Sequence, residues 1–232
     1  MQNRSAQART ARKRPQRTQD QRRRETQDKI LRAAIDLLVE RGYAGFTTIA
    51  VAARAGVSRG ARENYFRTKY DLIAAAWRAA LDRAGEKSQN LASTVKGSSD
   101  PAGQFLASAE SFFLSRDYVA MLELSIAART DARLARIFHS LFRDYRKRHD
   151  DIWIQALQQV GYKRRDIEKF VDIANSLLRG MALTAAWKLP SPHGRSPLEE
   201  LRRFTPLLLT PDKARQSASK RARAARQNRT PR

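Results

Sequence analysis

The stretch "AVAARAGVSRGARENYFRTKYDL" (Ala50–Leu72) reads as a helix that stops, turns and restarts almost at once. Alanine-rich residues 50–55 run into Gly56, and Ser58 opens a second helix of about two turns. That helix displays Arg59, Arg62, Glu63 and Asn64 instead of an apolar face. Two short helices joined by a turn of about three or four residues containing glycine make a helix-turn-helix unit. The residue types meet its physical demands. Gly56 tolerates a positive φ, Ala52 is small where the helices cross, Val57 plugs the turn into a core, and Ser58 caps the second helix. A rod of residues 59–65 rises about 10 Å, which suits end-on entry into a major groove about 12 Å wide.

In that geometry the first turn, Ser58, Arg59, Gly60 and Ala61, meets the base edges. Arg59 and Arg62 have the donors to read guanine or clamp a phosphate, and Asn64 those to address adenine or the backbone. Thr47, Thr48 and the N–H groups opening the second helix suit phosphate, with Tyr65 and Lys69 on the far strand's backbone. Glu63 repels phosphate unless it accepts from cytosine or pairs with an arginine. A short polar helix between two amphipathic ones also fits a solvated connector, so spacing alone leaves both readings open.

Outward from this unit, helical period dominates from residue 26 onward, and no segment sustains strand alternation. Ile30, Leu31, Ala34, Ile35 and Leu38 line one face of a first helix that Thr26 caps and Gly42 ends. Thr47 caps a short second helix to Ala55, and a fourth runs from Lys69 to Arg83. Residues 96–103, rich in Gly, Ser and Asp, read as a boundary. Helical stripes then resume near Pro101 and over 117–128, 131–160, 166–187 and 197–209, with Pro206 expected to kink or end the last. The chain reads as all-α: a three-helix helix-turn-helix domain over residues 25–85 joined to a larger helical bundle over 100–210. Basic disordered tails, 1–24 and 212–232, flank them.

The residues resemble those of a known family. "ILRAAIDLLVERGYAGFTT", "VAARAGVSRGA" and "YFRTKYDLI", in that order and spacing, resemble the DNA-binding domain of the TetR (tetracycline-repressor-like) regulators. Two positions depart from the family pattern: Arg62 stands where an apolar residue is usual, and Glu63 where tyrosine is frequent. The resemblance is strong over residues 26–81 and elsewhere follows only in helical outline. It implies a homodimeric transcriptional repressor on a palindromic operator in double-stranded DNA, released by a small-molecule inducer. It also implies a dimer interface built from the helices at 166–187 and 197–209. The inducer pocket is expected among the large residues of the middle stripes, Phe105, Phe112, Met121, Phe138, Phe142 and Trp153, with Glu123 to orient the ligand. Plain core packing is the alternative for each of these.

Composition bounds the rest. Net charge is +23, of which residues 1–24 carry +8 and residues 212–232 carry +7. Such tails attract polyanions nonspecifically, which keeps a general DNA-packing protein as the alternative function. Cysteine is absent, so no disulfide and no thiolate metal site can form. The basic amino terminus lacks the apolar core of a secretory signal, and no apolar run is long enough for a membrane span. A cytoplasmic protein without cofactor or metal is expected. His139, His149 and His193 form no recognisable catalytic or metal set, and "RHDDIW" reads as a solvated face, so no enzyme is expected.

Overall fold

The computed structural model describes residues 18–187 and 196–211. Residues 1–17 of the tail expected over 1–24, the tail expected over 212–232, and residues 188–195 with His193 lie outside the described residues. Nine α-helices account for the described chain, with no strand among them: α1 Gln19–Arg41, α2 Thr48–Ala55, α3 Arg59–Tyr65, α4 Lys69–Ser93, α5 Pro101–Phe113, α6 Arg116–Ala127, α7 Ala132–Gln159, α8 Arg164–Ala186 and α9 Pro197–Leu208. The all-α reading therefore holds.

Capping chemistry sets most helix starts. Thr68 opens α4 with a capping box, its hydroxyl accepting from the Asp71 amide while Asp71 accepts from the Thr68 amide. Ser115 caps α6, and Asp131 caps α7 by accepting from the Arg133 and Leu134 amides. Asp100 caps α5 so closely over Gly103 that a Cβ there would lie 1.8 Å from its carboxylate. Only glycine leaves room for that cap.

Three expectations change at this level. The first helix begins not at Thr26 but at Thr18, where a capping box with Gln21 starts α1 two turns earlier. Residues 19–24, expected in a disordered tail, are thus helical, and they expose Arg22, Arg23 and Arg24. The fourth helix runs on to Ser93 instead of stopping at Arg83. The boundary expected over residues 96–103 is a tight 3-10 turn at Val95–Gly97, with Val95 and Ala102 both buried. Small polar residues ended the helical stripe in sequence, yet the turn they form is pinned to the core.

The core is one continuous apolar cluster that crosses from the α1–α3 unit into the larger bundle. Helices α4 and α7 pack side by side, and α1 lies on α6. Trp77 of α4 sits at the junction, fully buried, with its ring 4.6 Å from Phe138. Further along, Phe105 meets Trp153 edge-on at 5.4 Å and Phe170 at 5.6 Å. The α1–α3 unit is consequently held to the body by α4, which belongs to both, and by the α1–α6 contact.

Candidate nucleic-acid interface

Helices α2 and α3 are joined by a glycine-ended cap. Gly56 adopts φ 66° and ψ 34°, the left-handed region that costs a residue with a Cβ about 1–2 kcal/mol. Its amide donates to the Ala53 carbonyl at 3.2 Å, and the Val57 amide donates to Ala52 at 3.0 Å, which together close the end of α2. Val57 is half-buried and Ala52 buried, so the turn is anchored as its residue types require. Thr47 caps α2 through the Ala50 amide, and Ser58 caps α3 through the Ala61 amide, each at 3.1 Å.

This anchoring presents one edge of α3 outward. Arg59, Gly60 and Asn64 are exposed there, with Ser58 and Thr47 beside them, while Thr48, Ala61 and Tyr65 are half-buried. Arg59 donates from Nε to Glu63 Oε1 at 2.9 Å, one turn along the helix. That hydrogen bond is the first cause of the Glu63 carboxyl lying below the usual range. Glu63 is therefore an ionised partner of arginine, the condition under which it is tolerated beside phosphate.

Arg62 is the principal correction. Expected to reach DNA, it is only 3% exposed. Its Nη1 donates to the Phe66 carbonyl at 2.7 Å, closing the end of α3, and its Nη2 donates to Glu63 at 3.0 Å. Its Nε is buried without a partner. Helical geometry points position 62 inward, which is why the resembling family keeps an apolar residue there; the departure itself was the signal. Lys69 is also drawn inward. It is half-buried, with Nζ 3.8 Å from the centre of the Tyr43 ring and 3.4 Å from the Tyr43 carbonyl, and desolvation lowers its pKa. A phosphate contact would require it to leave that ring.

Residues the sequence reading passed over share the outward side of the unit. Ile49 is 65% exposed in the first turn of α2, and Arg67 is exposed between α3 and α4. Ile49 broke no pattern, because one exposed apolar residue is invisible in a stripe.

The expected ligand set divides. Phe105 and Trp153 are fully buried and Met121 nearly so, all within close-packed core. Phe138 stacks on Phe142 at 5.6 Å and meets Trp77 at a tilt of 41°. Glu123 points its carboxylate at Gly42, where an added Cβ would lie 2.8 Å from it, and it lines none of the clefts described here. Phe112 alone among them borders a cleft of useful size, about 160 Å³ between α4, α5 and α7, with Lys87, Ser88, Ser108, Ser111, Tyr145 and His149. Phe142 borders only a void of about 20 Å³. A wider, more open groove of about 560 Å³ between α4 and α7 also reaches Tyr145 and His149.

His149, expected on a solvated face, is thus a correction: it is 7% exposed. Its Nδ1 lies 3.4 Å from Asp150, and its ring packs near Tyr145 and Phe105. Tyr145 is buried too, which raises its pKa. Polar residues on an otherwise apolar stripe were the available signal for both. No His, Cys, Asp or Glu cluster suited to a metal occurs among the described residues, and none of their helices is long and apolar enough to cross a membrane.

Comparison with known proteins agrees with this geometry. The family model of the bacterial regulatory proteins of the tetR family matches residues 30–76, spanning α2, α3 and the adjoining parts of α1 and α4. The chain is 34% identical over 172 residues to the HTH-type transcriptional regulator CymR of Pseudomonas putida, covering 74% of this chain and 85% of that one. It is 33% identical over 135 residues to an uncharacterised HTH-type regulator of Mycobacterium bovis, covering 58% and 69%. Among solved structures, a Rhodococcus TetR-family regulator shares the fold at a TM-score of 0.63 and 19% identity, covering 81% of this chain and 100% of that one. A transcriptional regulator of Rhodococcus sp. Rha1 matches at 0.56 and 26% identity, covering 75% and 90%.

The fold and the exposed reading helix define a helix-turn-helix transcriptional regulator. The chain belongs to the TetR family of bacterial regulatory proteins. It is a sequence-specific DNA-binding protein and not an enzyme.

Proposed function

We propose that the chain acts as a homodimeric repressor on a palindromic operator and leaves it when a small molecule binds the larger bundle. The observation that carries this reading is the outward edge of α3, with exposed Arg59 and Asn64 on a helix whose other side is anchored in the core. The contact surface is proposed to be Thr47, Thr48, Ser58, Arg59, Gly60, Ala61, Asn64 and Tyr65, without Arg62. Selection of bound fragments from random duplex tests it directly. Arg59→Ala is expected to weaken binding to the selected site by about 1–3 kcal/mol and to relax preference at one base position per half-site. Equal loss on random duplex would remove base reading by Arg59.

Dimerisation is supported by apolar surface left uncovered on α8 and α9. Ile173 and Phe204 are roughly half-exposed, and Leu207 is 78% exposed. Leu198 and Leu201 meanwhile face inward, so α9 is apolar on two sides. A two-fold pair places two reading helices on half-sites one helical turn apart or a multiple of it. Phe204→Asp with Leu207→Asp is expected to give a monomer in sedimentation and to lower operator affinity at least about 100-fold, since a half-site alone is then read. A persistent dimer would move the interface elsewhere.

For the small molecule, the cleft of about 160 Å³ bordered by Phe112, Tyr145 and His149 replaces the solid core as the proposed site. Its aromatic walls and its hydroxyl and ammonium donors suit a compact ligand with an apolar body and a hydrogen-bond acceptor. Such a ligand must favour the DNA-incompetent arrangement, or it shifts nothing.

A further inference from the structure

One polar cluster outside both the reading edge and the clefts ties the DNA-binding unit to the body. Asp131 caps α7 with Oδ1, which accepts from the Arg133 and Leu134 amides at 3.0 and 2.9 Å. Its other oxygen, Oδ2, accepts from two tyrosine hydroxyls, Tyr43 at 3.0 Å and Tyr70 at 2.8 Å. Tyr43 lies just after α1, and Tyr70 is in the first turn of α4. Two cations bracket the cluster: Lys69 over the Tyr43 ring, and Arg133 over the Tyr70 ring at 4.4 Å. A single carboxylate thus joins α7 to both ends of the segment that carries α2 and α3.

We infer that Asp131, acting through Tyr43 and Tyr70, is a positioning residue that fixes the angle of the DNA-reading unit against the body and so sets the spacing of half-sites the dimer accepts. The inference rests on the dimeric operator reading above. The remaining attachments are one exposed ion pair, in which Arg116 of α6 donates to Asp36 of α1 at 3.1 Å, together with apolar packing and continuous helix: Ala120 and Leu124 of α6 are buried where α6 packs on α1, and α4 passes through both parts. Apolar packing resists separation but is not directional. Hydrogen bonds to one ionised oxygen are directional, and this set is only half-buried, so water can replace it when the unit swings. The cluster therefore holds an angle without adding much to the fold, the property a joint needs if its two sides are to move between discrete arrangements.

Tyr43→Phe with Tyr70→Phe removes only the two hydroxyls and leaves the α7 cap in place. Asp131→Asn keeps Oδ1 for the cap but replaces the shared acceptor with a donor. For wild type and both variants, affinity is measured on the selected palindrome and on the same duplex with the centre lengthened or shortened by one and two base pairs. Thermal unfolding is recorded alongside. Wild type is expected to prefer one spacing; both variants are expected to lose at least about five-fold of that preference, with midpoints within a few degrees of wild type. An unchanged spacing profile overturns the inference. So does a uniform loss at all spacings with a lowered midpoint, the mark of a merely structural role. A wild-type protein that selects no spaced palindrome overturns the dimeric operator reading, and this inference with it.

Discussion

Trp153→Ala is expected to remove about 3–5 kcal/mol of folding stability, the usual loss for a large aromatic in a closed core. Trp153 is wholly buried, and its indole Nε1 donates to the Ser88 hydroxyl at 2.6 Å. Alanine forfeits the packing against Phe105, leaves a cavity between α4, α5 and α7, and strands the buried Ser88 hydroxyl. Trp153→Phe separates the contributions: most ring burial survives, and the loss should fall to about 1–3 kcal/mol for the missing hydrogen bond and its orphaned partner. Urea unfolding measures both, at fixed protein concentration because the proposed dimer would make the midpoint concentration-dependent. A residue held for ligand contact alone would lose little stability, so an alanine variant within about 1 kcal/mol of wild type would return Trp153 to the ligand set.

The second large effect concerns Arg62 and separates its expected from its observed role. Arg62→Ala is expected to cost about 2–3 kcal/mol, since it removes the stem from the core and the donor from the Phe66 carbonyl. Arg62→Met fills the same space without a charge. Its cost should be under about 1 kcal/mol, because the guanidinium is buried with an unpartnered Nε and replacing buried charge with apolar volume is often neutral. Glu63 keeps Arg59 as its partner in both variants. On the selected operator, Arg62→Met should then bind with unchanged base preference. A change of preference at one base position would place Arg62 at the DNA after all, flipped out of the core on binding.

These two residues also mark where sequence reasoning succeeds and where it stops. A helical stripe marks Ile30, Leu31, Ala34, Ile35 and Leu38 as inward, and all five are buried, because burying one face of an amphipathic helix is a local property with a fixed period. The turn at Gly56 and the caps at Thr47 and Ser58 were equally legible, since each depends on residues within one turn of itself. The capping box at Thr18 and Gln21 was just as local but stood hidden among basic residues, whose charge read as a disordered tail. Arg62 escapes such reading because charge ordinarily signals exposure. Its long stem and fork allow an arginine to lie buried wherever a carbonyl and a carboxylate stand within reach.

The proposed ligand cleft in the body was legible only as a set of candidates. Whether facing stripes interlock or leave a gap depends on the sizes of side chains brought together from α4, α5, α7 and α8, which are distant in sequence. Trp153 and Phe105 fill their space, whereas Ser88, Ser108 and Ser111 leave some beside Phe112 and Tyr145. His149 followed the same logic: its neighbours in sequence are charged, but its neighbours in space are rings.

By itself, the sequence determined that this chain is all-α, which faces most of its helices bury, and that a glycine-turned pair of helices carries a polar edge. Those outcomes rest on φ preferences, capping and a 3.6-residue period, all set within a few residues of chain. Only the tertiary structure decided that Arg62 and His149 are interior, that the cleft lies beside serines and not among the largest aromatics, and that Asp131 joins Tyr43 to Tyr70. Each of these depends on which residues meet across helices far apart in the chain, and packing of the whole molecule settles that.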